Sequence, residues 1–161
     1  MSVVLGPAEL QLLAEARRAT LGTLGPDGRP RLVPCCFALV ESATGSVIYT
    51  PIDDKPKAST DPRSLARVRD IERDPRVTLL VDRWAEEWAR LAWLRIDGLA
   101  SIVWPMDDPD DHLVAVQALR TRYPQYAAHR LEELPVIATS PVATRSWFAS
   151  SSDDAQHQGP E

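Results

Sequence analysis

Lys55 and Lys57 follow a β-prone segment that runs Tyr49-Thr50-Pro51-Ile52. Asp61-Pro62 then opens a helical pattern carrying Arg63, Arg67 and Arg69 in its first turns. Cations gathered at a strand exit and a helix start hold phosphate or carboxylate groups through charge-assisted hydrogen bonds. The chain has 18 Lys and Arg against 23 Asp and Glu, a formal net charge of −5. The patch therefore reads as a local anion site and not as part of a polyanion-binding surface. The competing reading is a solvated face on which Arg67, Arg69 and Arg73 pair with Asp70, Glu72 and Asp74, and Asp53 and Asp54 beside the lysines favour it.

Aromatic side chains are the second chemical signal. Trp84, Trp88, Trp93 and Trp104 fall close together, and Trp147 lies near the end of the chain. Indoles beside a basic site can stack on a flat heterocycle, although core or dimer packing is their commoner use. The segment 82–88, Asp-Arg-Trp-Ala-Glu-Glu-Trp, is too acidic to meet a nucleic-acid backbone.

Other chemistries lack their residues. His112, His129 and His157 show no metal-ligand spacing, and none follows an apolar strand that could fix it in a catalytic triad. Neither a Gly-x-Gly-x-x-Gly nor a Gly-Lys-Ser/Thr loop appears. Adjacent Cys35 and Cys36 are too few for a structural zinc site and read as small buried residues in a strand. The chain has neither a signal-peptide pattern nor an apolar run long enough to span a bilayer, so the expected location is the cytoplasm.

At 161 residues, 44% of them apolar, the chain suits one globular domain over 1–149 with a disordered polar tail at 150–161. Gly6-Pro7 starts a first helix, with Leu10, Leu13 and Ala14 as its apolar stripe. Strands are expected at 19–24, 32–40 and 47–50, joined by a Gly25-Pro26-Asp27-Gly28 turn and a Ser/Thr/Gly turn as a meander. The run 32–40 is apolar enough for a strand buried on both faces. A second helix starts at Thr60 or Asp61 and ends at Asp74-Pro75. Strands at 76–82 and 91–104 follow, the latter with Gly98 as a bulge or bend. Asp108-Pro109 opens a third helix packed through Leu113, Val116 and Leu119, and a last strand covers 142–148. The expected fold is α+β, mainly β: a closed or partly closed antiparallel barrel of about six strands with three inserted helices.

In this order the elements resemble the split-barrel flavin-binding superfamily of pyridoxamine 5'-phosphate oxidases, in particular its deazaflavin (coenzyme F420)-dependent branch. The resemblance rests on Ala19-Thr20-Leu21-Gly22-Thr23, on Asp27-Gly28-Arg29-Pro30-Arg31-Leu32-Val33-Pro34, on Tyr49-Thr50, and on Lys55/Lys57 with 65–77 ending Arg73-Asp74-Pro75-Arg76-Val77. The Trp-rich stretch 88–98 is similar to that of one F420-dependent subgroup. It implies a homodimer of split barrels with the cofactor in a groove between subunits. Thr50, Lys55, Lys57 and Arg67, with Arg69 as second choice, are then the cofactor-phosphate candidates. Pro34, Cys35 and Cys36 would edge the flat ring, and Trp88 and Trp93 would line a substrate pocket. No protein nucleophile or metal is implied, because hydride chemistry belongs to the cofactor. The implied activity is F420-dependent reduction of a small conjugated or electrophilic substrate. FMN as cofactor, a non-catalytic carrier of flavin, deazaflavin or haem, and a pure interaction module are the alternatives.

Overall fold

The computed structural model describes residues 3–53 and 61–149. Its elements are α1 (Pro7–Glu15), β1 (Ala19–Leu24), β2 (Pro30–Cys35), β3 (Ala38–Ser42), β4 (Gly45–Pro51), α2 (Ala66–Arg73), β5 (Arg76–Arg83), β6 (Ala92–Val103), α3 (Pro109–Arg122) and β7 (Val136–Phe148). The seven strands form one antiparallel sheet in the order β2-β1-β5-β6-β7-β4-β3. Its edges, β2 and β3, are not paired with each other, so the barrel stays open. Lys55, Lys57 and the 150–161 tail lie outside the described residues. Among the described residues, no helix is long and apolar enough to cross a membrane.

The run 32–40 is not one doubly buried strand. It breaks at Cys36-Phe37, and the two halves go to opposite edges of the sheet. Pro30 and Pro34 explain the edge position of β2, since proline cannot donate to a ladder on both sides. The crossover's backbone is satisfied by Tyr123, whose hydroxyl accepts from the Phe37 N–H at 3.1 Å and donates to the Phe37 carbonyl at 3.1 Å. β1 with β2 and β3 with β4 are therefore two separate hairpins, not a three-stranded meander.

The core divides into two parts. Leu12, Leu13, Leu21, Phe37, Ile48, Val68, Ile71, Leu79, Leu94 and Ile96 fill the inside of the curled sheet. Tyr49, Ala115, Val116, Leu119, Tyr123 and Tyr126 pack α3 onto the far side of β4. Strand alternation separates them: Ile48 and Thr50 face the interior, and Tyr49 faces α3. The Tyr49 hydroxyl hydrogen-bonds the Asp111 carboxylate in the first turn of that helix.

Several boundaries differ from the sequence-based expectation. In α1 it is Leu12 and Leu13 that are buried, and Ala14 is exposed. Residues Pro62–Ser64 form only a single tight turn, because Asp61 accepts from the Arg63 N–H at 3.0 Å and the Ser64 hydroxyl donates back to the Asp61 carbonyl at 2.7 Å. Leu65 is extended, and α2 begins after it. On α3 the buried face is His112, Ala115, Val116 and Leu119, while Leu113 is exposed. β7 starts six residues before the expected strand, at Val136. Its first half pairs with both β4 and β6, through contacts such as Tyr49↔Ala138 and Ser101↔Ala138. Pro135 and Pro141 break the apolar run there and hide it from a pattern search. The bulge at Gly98 is present: the β6/β7 register shifts between Asp97 and Gly98.

Candidate functional site

The opening of the barrel gathers the polar groups. Cys35 ends β2 opposite Ala19, with its side chain turned inward. Thr50 lies on β4, next to the other edge strand of the sheet, also turned inward and fully buried. Curling of the sheet nonetheless sets the Cys35 thiol against Thr50 across the unpaired gap. The contact favours the thiolate slightly, but the Thr50 hydroxyl itself makes no hydrogen bond of ordinary geometry. A buried hydroxyl without a partner is costly in a finished core and useful where a ligand completes it.

Arg67 enters the same gap from the first turn of α2. Val68 and Ile71 anchor that helix in the core, which fixes the direction of the guanidinium. Arg67 is half-buried, and loss of solvent lowers its pKa, while the charges of Asp53 and Cys35 act in the opposite direction. Burial pushes the Cys35 thiol up to about 11, aided by Cys36 and opposed by Thr50 and Arg67. Cys35 is thus a protonated, weakly nucleophilic thiol at neutral pH. Asp53, just beyond β4, accepts from the Tyr126 hydroxyl at 3.0 Å. Tyr126 also approaches Cys36, and burial raises its own pKa.

Of the residues expected at the site, the structure brings together Cys35, Thr50 and Arg67. Pro34 does not join them: one residue from Cys35 on a strand, it faces the opposite, outer side. Arg69 is exposed, about 200° round α2 from Arg67. Arg63 lies in the Pro62–Ser64 turn before α2 and stacks over the Trp104 ring at 4.3 Å. Trp93 lies on the outer face of β6, three strands or about 14 Å from β2. Trp88 is exposed in the turn Trp88–Arg90 between β5 and β6. Neither indole borders this opening within one chain.

The surface-pair reading holds for part of the basic cluster. Asp70 is buried and accepts from Thr23 Oγ1 at 2.9 Å, Arg73 at 3.1 Å and Arg31 at 3.3 Å, tying α2 to β1 and β2. Arg67 lies outside this network. Sequence reasoning had Asp70 as an arginine partner on a solvated face, not as a buried tie between helix and sheet, and it missed Tyr126. Asp53 was visible only as a charge that opposed the lysines.

Comparison with known proteins agrees with this architecture. The family described as pyridoxamine 5'-phosphate oxidase matches residues 5–148. No curated protein gives a sequence match. Among solved structures, the conserved hypothetical protein Rv2991 from Mycobacterium tuberculosis is 22% identical, with a TM-score of 0.67 over 92% of this chain and 88% of its own. An F420 reductase is 22% identical, with a TM-score of 0.59 over 89% of this chain and 98% of its own. The haem storage protein HutZ from Vibrio cholerae is 17% identical, with a TM-score of 0.61 over 91% of this chain and 95% of its own. At such identities these three likenesses speak for the fold alone. The open seven-stranded sheet and the family match over nearly its whole length agree: the chain belongs to the pyridoxamine 5'-phosphate oxidase family of flavin-binding split barrels.

Proposed function

We propose that the protein is a deazaflavin (F420)-dependent oxidoreductase that reduces a small conjugated or electrophilic substrate, working as a homodimer in the cytoplasm. The observation that carries this reading is the open seam of the sheet, where Thr50, a buried hydroxyl without an ordinary hydrogen bond, and Arg67, a half-buried cation, both act on the Cys35 thiol. An anionic, hydrogen-bonding ligand compensates both groups at once. When bound, a deazaflavin or flavin supplies the hydride chemistry.

The chain's own residues bind and orient. Arg67 holds the anionic end, joined by Lys55 and Lys57 from the preceding segment. Thr50 offers a hydrogen bond from the strand. The Cys35 thiol stays protonated and lines the slot without attacking. F420 is preferred to FMN because the extra cations suit its more anionic tail. A cofactor carrier without turnover is the second reading, and the haem storage protein HutZ has the same fold.

Titration with FMN and with F420, followed by Trp fluorescence and visible absorbance, separates these readings. Tight F420 binding with hydride transfer to an electron-poor enone is the expected result, and binding without turnover of any acceptor identifies the carrier. Arg67→Glu should weaken the cofactor by roughly ten- to a hundredfold, the loss of a desolvated charge-assisted contact. Unchanged affinity in that variant removes the site assignment.

A further inference from the structure

A cleft of about 400 Å³ lies where the end of α1 meets the start of β1 and the end of β5. That volume falls within the roughly 300–1,000 Å³ of small-molecule sites. Leu12, buried in the core, and Ala16, packed against it, give the cleft an apolar lining. Trp84 forms a flat wall, 78% exposed and without a ring or cation contact of its own among the described residues. The cleft is separate from the seam of the sheet, since none of Cys35, Thr50 and Arg67 lines it.

Five charged side chains border this space, and three of them are already committed. Arg83 donates to the Glu15 carboxylate at 3.1 Å and to the Arg90 carbonyl at 2.7 Å. Glu15 accepts from the Gln11 side chain as well, at 2.9 Å. Arg17 donates to the Arg122 carbonyl at 2.8 Å and lies over the Tyr123 ring at 4.8 Å. Two charges are left over. The exposed Arg18 and the half-buried Asp82 pair neither with each other nor with any other side chain among the described residues. Strand register sets them on facing walls: Thr20 pairs with Leu80, and Arg18 and Asp82 each stand two residues further along, towards the cleft.

An uncommitted cation and an uncommitted anion, beside an apolar lining and an indole, select a ligand that carries both charges and a flat apolar group. A simple anion would be repelled by Asp82, and a simple cation by Arg18. We propose that this cleft binds the zwitterion of an aromatic α-amino acid, with its carboxylate on Arg18, its ammonium on Asp82 and its ring against Trp84. Both polar ends then gain charge-assisted hydrogen bonds, and the ring gains offset or edge-to-face contact with the indole. The site goes beyond the cofactor reading and does not depend on it.

Calorimetric titration of the full chain tests the assignment. The probes are L-phenylalanine, 3-phenylpropanoate, which lacks the ammonium, and 2-phenylethylamine, which lacks the carboxylate. L-Phenylalanine should bind with a Kd of about 1 mM or below, and each analogue about tenfold more weakly. Arg18→Gln should bring the amino acid down to the affinity of 2-phenylethylamine, and Asp82→Asn to that of 3-phenylpropanoate. Trp84→Ala should weaken all three probes. No binding of L-phenylalanine at about 10 mM, an analogue that binds as tightly as the amino acid, or discrimination that survives both charge substitutions overturns the proposal. The comparison of the three probes uses the wild-type chain and so decides the matter even where a variant fails to fold.

Discussion

Arg67 and Cys35 set each other's chemistry across the open seam. The guanidinium favours the Cys35 thiolate, yet burial wins and holds the thiol at about 11. In a Cys36→Ser background, alkylation of Cys35 by iodoacetamide should therefore be slow at pH 8 and rise about tenfold per pH unit until pH 11. Replacing Arg67 with Gln should push that midpoint higher, and mass spectrometry of the Cys35 peptide reads it. A midpoint near 8.5 would mean that the seam is open to bulk water. Asp70 makes a different kind of contribution, since it ties helix to sheet. Asp70→Ala leaves Thr23, Arg31 and Arg73 without their acceptor and should cost about 1–3 kcal/mol in urea unfolding, limited by the partial exposure of both arginines.

At the scale of elements, the bulge between β6 and β7 decides where the sheet bends. A Cβ on Gly98 would lie 2.6 Å from Thr139 Cγ2 and 2.9 Å from the Ser140 carbonyl oxygen. Gly98→Ala should thus destabilise the fold by about 1–3 kcal/mol through overpacking against backbone, measurable as a lower urea midpoint. Glycine in a long strand was itself the signal, so this bend was legible in the sequence. So were the turn at Gly25–Gly28, closed by the Gly28 N–H to the Gly25 carbonyl at 3.0 Å, and the Asp108 cap of α3. Other boundaries were not. The split of 32–40 into two strands is caused by pairing partners distant in sequence, which local hydrophobicity does not encode. The first half of β7 lay hidden between prolines. At the site, Thr50 and Arg67 were readable as a strand exit and a helix start, but their meeting depends on the curl of the whole sheet. Alternation along β2 was available from the sequence and would have set Pro34 apart from Cys35. Tyr126 gave no local sign of its contact with Asp53.

For the molecule as a whole, buried phenols shape the pH range of stability. Burial raises the pKa of Tyr49, helped by Asp111, and burial likewise raises that of Tyr126. A raised folded value means that the stabilisation is complete below the ordinary tyrosine value of 10.0. Above that pH the unfolded chain ionises first, and stability must fall. Urea midpoints should decline beyond pH 10, and Tyr49→Phe should flatten the decline. The strand order has a further consequence for biosynthesis. Among the described residues, β3 and β4 join the rest of the sheet only through β7, which follows every other strand in chain order. A nascent chain halted near residue 130 can hold the β3–β4 hairpin but has no ladder on which to mount it, so Thr50 cannot yet face Cys35. On the proposed cofactor site, chains arrested at that length should bind no flavin, and extension through β7 should switch binding on in a single step.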